Sequence, residues 1–189
     1  MYEEILEKML GTNRIYHSYC VADQAKKLAI AHGVDENKAG IAGLLHDITK
    51  EVQKEKHLQI IKDAGIILDT IQKSTTKLLH SISGSVYIKK YLNIDDEEII
   101  DAIRYHTTAK PNMSKLTKII YLADYTSIDR DFSHLPCMQN LISYLKNLVL
   151  KSLDESIKFI MPYSIKSLLD KSSYIHPDSF SAYNYYIKI

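Results

Sequence analysis

The chain has no tryptophan, two cysteines, four prolines and six glycines among its 189 residues. Each scarcity excludes something. So few glycines and prolines do not supply the turns of a strand-rich architecture, and helices are favoured instead. Cys20 and Cys137 form neither a CxxC pair nor a disulfide framework, which suits a reducing cytoplasm. A formal net charge of +1 provides no broad field to draw in nucleic acid or a membrane surface. No uninterrupted apolar run is long enough to cross a bilayer. The N-terminal MYEEILEKML is acidic and amphipathic, unlike a signal peptide. A cytoplasmic protein with no nucleic-acid or membrane partner is the expectation.

What is present is a helical period almost throughout. Hydrophobic residues make up 46% and charged residues 25%, an ordinary balance for one globular core. We expect an all-α helical bundle forming a single domain over 1–189, with a C-terminal helical part from about 138 packed on the rest. The expected helices are Tyr2–Leu10, stopped at Gly11; one from a Thr12 or Asn13 cap to His32, ended by Gly33; Asp35 to Leu45; EKHLQIIKDAG, closed by Gly65; Leu78–Tyr91; one from a capping box of Asp95 with Glu98 to near His106; and Ser114 to Tyr125 after the break at Pro111. A long helix, Met138–Leu169, should be kinked or interrupted at Pro162. A last short helical turn lies in the tail. Four of the 14 tyrosines fall in the final stretch and are expected to pack it onto the body.

The informative residues are ionisable ones on apolar faces. Leu116, Ile119, Ile120 and Ala123 make an inward stripe, and Asp124, four residues after Ile120, lies on it. An isolated buried carboxylate is too costly, so Asp124 must be paired, hydrogen-bonded or metal-bound. His106 shares a face with Ile99 and Ile103, His17 with Val21 and Leu28, and His80 with Gly84 and Tyr87, where Gly84 permits close approach. His46 and Asp47 end KAGIAGLLHDI, the most apolar helix. Helical neighbours point about 100° apart, so this pair cannot share a face but can reach one ion beside the helix end. Each residue alone fits an ordinary core role, and His32, His57, His134 and His176 fit that or a solvent-facing one. The set is different: five helices each deliver a His, an Asp or both to an inward or terminal position. Imidazole plus carboxylate suits iron, manganese or zinc, and the lack of cysteine argues against a closed structural zinc site.

The order His17, His46-Asp47, Asp124 resembles the H…HD…D pattern of the HD-domain phosphohydrolase superfamily. His80 and His106 resemble the extended pattern of its dinuclear members. More narrowly, HSYCVADQAKKLA, AGLLHDITK, HSISGSVYIKKYL and AIRYHTTAKPNMSKLTKIIYLADYTSIDR are similar to the bacterial YqeK family over roughly residues 1–185. The resemblance implies an all-helical fold with a buried iron site and symmetrical cleavage of diadenosine tetraphosphate into two ADP. It makes His17, His46, Asp47 and Asp124 the metal ligands. His80 and His106 would hold a second metal or contact phosphate, with one firmly held metal preferred. Two departures stand out: SIDR, where related chains have an acidic-Pro stretch before the arginine, and AYN at Ala182–Asn184, where they tend to read ARN.

For hydrolysis, Asp47 or Asp124 would orient the attacking water, and His80 or His106 would stabilise or protonate the leaving oxygen. Lys50, three residues after Asp47, and Arg14, three before His17, are placed to meet phosphate, as are Thr107 and Arg130. Arg104 reads as structural, and Lys110, Lys115 and Lys118 as solvated. Three other readings stay open: another HD-domain nucleotidase or cyclic-dinucleotide phosphodiesterase, a two-iron oxygenase, and a nucleotide-sensing module without turnover. The apolar, Tyr-rich C-terminal half leaves a homodimer open.

Overall fold

A computed structural model describes residues 2–130 and 136–188; His134 and the side chain of Cys137 lie outside the described residues. Among them the chain forms eleven helices and no strand: α1 Glu3–Met9, α2 Thr12–His32, α3 Glu36–Leu45, α4 Lys54–Asp63, α5 Thr70–Ser74, α6 Thr76–Leu92, α7 Glu97–Tyr105, α8 Lys115–Thr126, α9 Pro136–Leu148, α10 Leu153–Asp170 and α11 Pro177–Tyr186. The all-α bundle expected from the period is the fold observed. Among the described residues no helix is long and apolar enough to cross a membrane.

Local chemistry explains most boundaries. Asp35 accepts from the amides of Asn37 and Lys38 to start α3, and Ser114 from that of Thr117 to start α8. Gly33 ends α2 in the left-handed region at φ 65°, a conformation glycine adopts without penalty. Four expectations need correcting. Neither Thr12 nor Asn13 caps α2: Gly11 holds that position without a side-chain cap, and its amide donates to Glu51 Oε2 at 2.6 Å. The cap of α7 is Asp96, not Asp95, accepting from Glu98 and Ile99. Lys38 lies 2.7 Å from Asp96 and 3.1 Å from Glu98, so Glu98 turns to a lysine rather than closing a box. The short α5 was not foreseen, although Asp69 and Gln72 form a full capping box for it. The long C-terminal helix is in fact two, broken before Ser152, which caps α10 through the Glu155 amide; α10 continues through Pro162.

The core lies where α2 packs on α3 and α8, and α7 on α3, α6 and α8. A Cβ on Gly43 would lie 2.8 Å from Ala22 Cα, so glycine is what lets α3 close onto α2. α10 lies on α8, and α11 on α10. Tyr186, 1% exposed, tethers the tail: its hydroxyl accepts from the Met113 amide at 2.8 Å. The expected tyrosine packing of the C-terminal segment holds for Tyr186 and in part for Tyr183 and Tyr185, whereas Tyr174 is 62% exposed. A smaller cluster of Ile61, Leu68, Leu79 and Ile82 joins α4 to α6.

Candidate metal centre

Two helix ends aim the first pair of side chains. A helix leaves its last carbonyls without intrahelical partners. α3 stops at Leu45, and His46 follows with Nδ1 2.6 Å from the Gly43 carbonyl. α7 stops at Tyr105, and His106 repeats the arrangement, Nδ1 2.7 Å from the Ile103 carbonyl. A carbonyl only accepts, so Nδ1 carries the proton in both rings and Nε2 of the neutral imidazole presents a lone pair.

The other groups come from helix bodies. His17, inside α2, has Nδ1 2.6 Å from Asp129 Oδ2 and Nε2 3.0 Å from Asp124 Oδ1, in the last turn of α8. Asp47 follows His46 directly. Its Oδ1 lies 3.1 Å from His80 Nε2, 3.4 Å from His106 Nε2 and 3.4 Å from Lys50 Nζ, while Oδ2 meets Arg14 Nη1 at 3.0 Å. Although α3 has ended, Ile48 and Lys50 donate to Leu45 and Asp47 in i to i+3 fashion. That tight turn keeps Lys50 on the Asp47 side.

The electrostatics follow from burial with charge pairing. Burial pushes the His46 imidazole down to about 4 and that of His80 to about 3. Burial alone would raise Asp47, but His46, His106 and His80 outweigh it and hold the carboxyl well below its usual range. Asp124 is likewise held low against its burial, by His17, His46 and Arg130. For His17 the balance tips the other way: burial lowers it, and the carboxylates of Asp124 and Asp129 raise it above the ordinary value.

Among the described residues two triads have donor atoms mutually within 4.8 Å: His17, His46 and Asp124, and His46, Asp47 and His106. The residues fit a divalent cation on their own chemistry. Nε2 of His46 is buried with no hydrogen-bond partner, and Nε2 of His17 and Oδ1 of Asp47, also buried, face Asp124 at 3.0 Å and His80 at 3.1 Å without a well-aligned hydrogen bond. A lone pair of His17 facing the Asp124 carboxylate calls for a positive charge, from a proton or an ion. The donors are nitrogen and carboxylate oxygen without thiolate, a set shared by iron, manganese and zinc.

All the expected site residues fall within this region. Thr107 Oγ1 stands 3.2 Å from His80 Nε2 and 3.1 Å from His106 Nε2. Arg130 sits on Asp124, donating from Nε to its carbonyl at 2.7 Å and pairing with its carboxylate. Arg104 stays outside, 5.1 Å from the Tyr105 ring. It lines a separate open cavity of about 450 Å³ on the outer side of α7 that touches none of the His-Asp cluster. Gly84 is approached by side chains rather than by a backbone, Thr49 Oγ1 lying 3.4 Å from where its Cβ would be. Lys118 is not solvated as expected; its side chain is 14% exposed and reaches Asp154 at 2.5 Å. Lys110 likewise pairs with Asp101 at 2.6 Å. His32 and His176 have ordinary partners, the Val149 carbonyl and Asp69 respectively. Sequence reasoning missed Asp129 and a buried network behind His80, in which Thr49 donates to the His80 carbonyl at 2.8 Å and meets Ser83, and Ser83 meets His57 Nδ1 at 2.6 Å.

Residues 14–129 match the family model described as HD domain. The chain belongs to the HD-domain family. It is 34% identical over 185 residues to a Bacillus subtilis protein named symmetrical bis(5'-nucleosyl)-tetraphosphatase, covering 96% of this chain and 94% of that one. A Halalkalibacterium halodurans protein of the same name is 32% identical, with 96% and 92% covered. The crystal structure of a Clostridium acetobutylicum protein, described as a predicted HD superfamily hydrolase involved in NAD metabolism, superposes with a TM-score of 0.91 at 35% identity, covering 100% of this chain and 97% of that one. An HD domain implies a divalent metal, which agrees with the donor set above.

Proposed function

We propose that this protein is a metal-dependent phosphohydrolase that cleaves dinucleoside tetraphosphates symmetrically, with diadenosine tetraphosphate giving two ADP. The carrying observation is the pair of donor triads sharing His46, walled by the cations Arg14, Lys50 and Arg130. Two relatives named for the symmetrical reaction match nearly end to end, and they support this choice over other HD-domain nucleotidases.

His17, His46, Asp47 and Asp124 hold the metal in this reading. Iron is favoured by the family resemblance, while the donors also accept manganese or zinc. A bound divalent ion would neutralise phosphate charge and acidify a water molecule. The chain's own groups do the rest. Asp47 or Asp124 accepts a hydrogen bond from the attacking water and aims its oxygen at a central phosphorus. The bond to the bridging oxygen on the far side breaks, and one ADP leaves with that electron pair. His80 Nε2 and the Thr107 hydroxyl, 3.2 Å apart, donate to the departing oxygen, and His106, its Nε2 3.0 Å from that of His80, joins them once that nitrogen takes up a proton. Lys50 and Arg14 screen the outer phosphates, and Arg130 shifts between Asp124 and phosphate as the site fills. The cytoplasm, where dinucleoside polyphosphates meet a reducing medium, suits the free Cys20.

The test is product analysis. Metal-loaded protein incubated with diadenosine tetraphosphate should yield ADP as the sole nucleotide. ATP and AMP in equal amounts would rule out symmetrical cleavage, and tight nucleotide binding without turnover under iron, manganese and zinc would make the protein a sensor.

A further inference from the structure

Three imidazoles of the centre have identified Nδ1 partners, and the partners differ in kind. His46 and His106 each follow a terminating helix, so the carbonyl three residues back is free and takes the Nδ1 proton. His17 stands inside α2, where carbonyls are occupied by the helix ladder. Its orientation must come from a side chain elsewhere. The turn after α8 supplies it: Asp129 Oδ2 lies 2.6 Å from His17 Nδ1, and the two side chains are 14% and 6% exposed. Asp129 Oδ1 is buried with no hydrogen-bond partner, so the carboxylate is desolvated for the contact its other oxygen makes. The next residue, Arg130, holds Asp124. One short turn therefore fixes two members of the triad His17, His46 and Asp124.

We propose that Asp129 is a positioning residue of the metal centre. Its carboxylate accepts the Nδ1 proton of His17, sets that ring's tautomer and rotation, and leaves Nε2 facing Asp124 and His46 as a donor to the divalent ion. This rests on the metal-site reading above. A carboxylate partner also makes the imidazole a stronger donor than a carbonyl does. His17 is thus the ligand whose strength this chain tunes by a side chain, and the SIDR turn, a departure from the family pattern, becomes part of the site.

The experiment uses manganese(II) binding to chelator-stripped full-length protein, followed by electron paramagnetic resonance. Asp129→Asn keeps the shape and removes the charge, Asp129→Glu restores the carboxylate, and Ile128→Ala, at an 80% exposed neighbour, is the control. Asp129→Asn should bind manganese roughly 10- to 100-fold more weakly, Asp129→Glu should recover part of that loss, and the control should match the native protein. Proton–nitrogen spectra of the zinc-loaded protein add a readout that a packing role would not move. The His17 Nδ1–H resonance should lie far downfield and shift upfield in Asp129→Asn, while those of His46 and His106 stay. Manganese binding by Asp129→Asn within twofold of native, or an unmoved His17 resonance, would overturn the proposal. If native protein and control both bind no manganese or zinc, the metal-site reading itself is wrong and this inference goes with it.

Discussion

Replacing Asp47 with asparagine tests the centre most directly, because this carboxylate touches more of the site than any group beside it. It is 2% exposed, while its cationic partners Arg14 and Lys50 have side chains 29% and 34% exposed. Breaking a fully buried pair costs about 3–5 kcal/mol, and an exposed one about 0–1 kcal/mol. Here the cations can turn to water and the desolvated carboxylate is gone, so metal-free Asp47→Asn should lose an intermediate ~1–3 kcal/mol. At roughly 2–4 °C per kcal/mol for a chain this long, the melting temperature should fall by about 2–12 °C. Metal adds a second, separable effect. A ligand at 100 times its Kd stabilises a protein by about 2.7 kcal/mol, so native protein should melt higher with manganese than with chelator, whereas Asp47→Asn should show little or no such rise and no detectable hydrolysis. Thermal melts with chelator and with manganese, alongside turnover, measure both. A variant that gains as much from manganese as the native protein and still turns over would refute the placement of Asp47 on the ion.

Acidification should unfold the metal-free protein early. His46 is depressed from 6.5 to about 4 and His80 to about 3, so as pH falls below 6.5 the unfolded chain takes up protons that the folded one refuses, and stability drops. His46 alone corresponds to roughly 3 kcal/mol by pH 4. His17, raised, opposes this, since its contribution is present below 6.5 and is lost as pH rises through its folded value. Urea midpoints of chelator-treated protein should fall from pH 7.5 to pH 5; a flat or rising midpoint would contradict the burial of neutral imidazoles. Asp96→Ala should cost ~1 kcal/mol as a lost helix cap and Asp95→Ala no more than about 0.5 kcal/mol, which denaturant titration separates. Gly43→Ala puts a methyl group 2.8 Å from Ala22 Cα and should cost roughly 2 kcal/mol or more, with weaker manganese binding because the Gly43 carbonyl orients His46. Equal metal affinity in a folded Gly43→Ala protein would uncouple the α2–α3 contact from the site.

Hydrophobic period carried most of the fold into the sequence, because inward faces repeat at helical spacing and capping residues mark the starts. Boundaries were lost where two chemical cues competed. Asp95 and Asp96 are adjacent candidates, and the one that caps the helix is the one that Lys38, on α3, reaches at 2.7 Å. Pro162 is the expected kink or interruption of the C-terminal helix, yet α10 continues through it. The true start at Ser152 carries the Ser-x-x-Glu pattern with Glu155, a legible cue that the proline overshadowed. The same kind of cue, Asp69 with Gln72, announced α5.

For the site, the residues that stand out in sequence are ionisable groups interrupting apolar faces. His17, His46, Asp47, His80, His106 and Asp124 all do so, and the structure brings them together. Asp129 does not, since it lies in a polar turn where an acid violates nothing. Its place is defined only by a contact with a helix more than a hundred residues away in sequence. The two classes differ physically. A desolvated donor is costly in its own element and so leaves a local trace, whereas a group that orients the donor bears its cost in the tertiary contact alone. The same holds for Ser83 and His57 behind His80: each reads as a core polar residue until the helices pack. Buried His–Asp clusters of this kind are therefore legible from one sequence, while the groups that aim them require the folded chain, and the positions just after Leu45 and Tyr105, where helices end, are where both meet in a single residue.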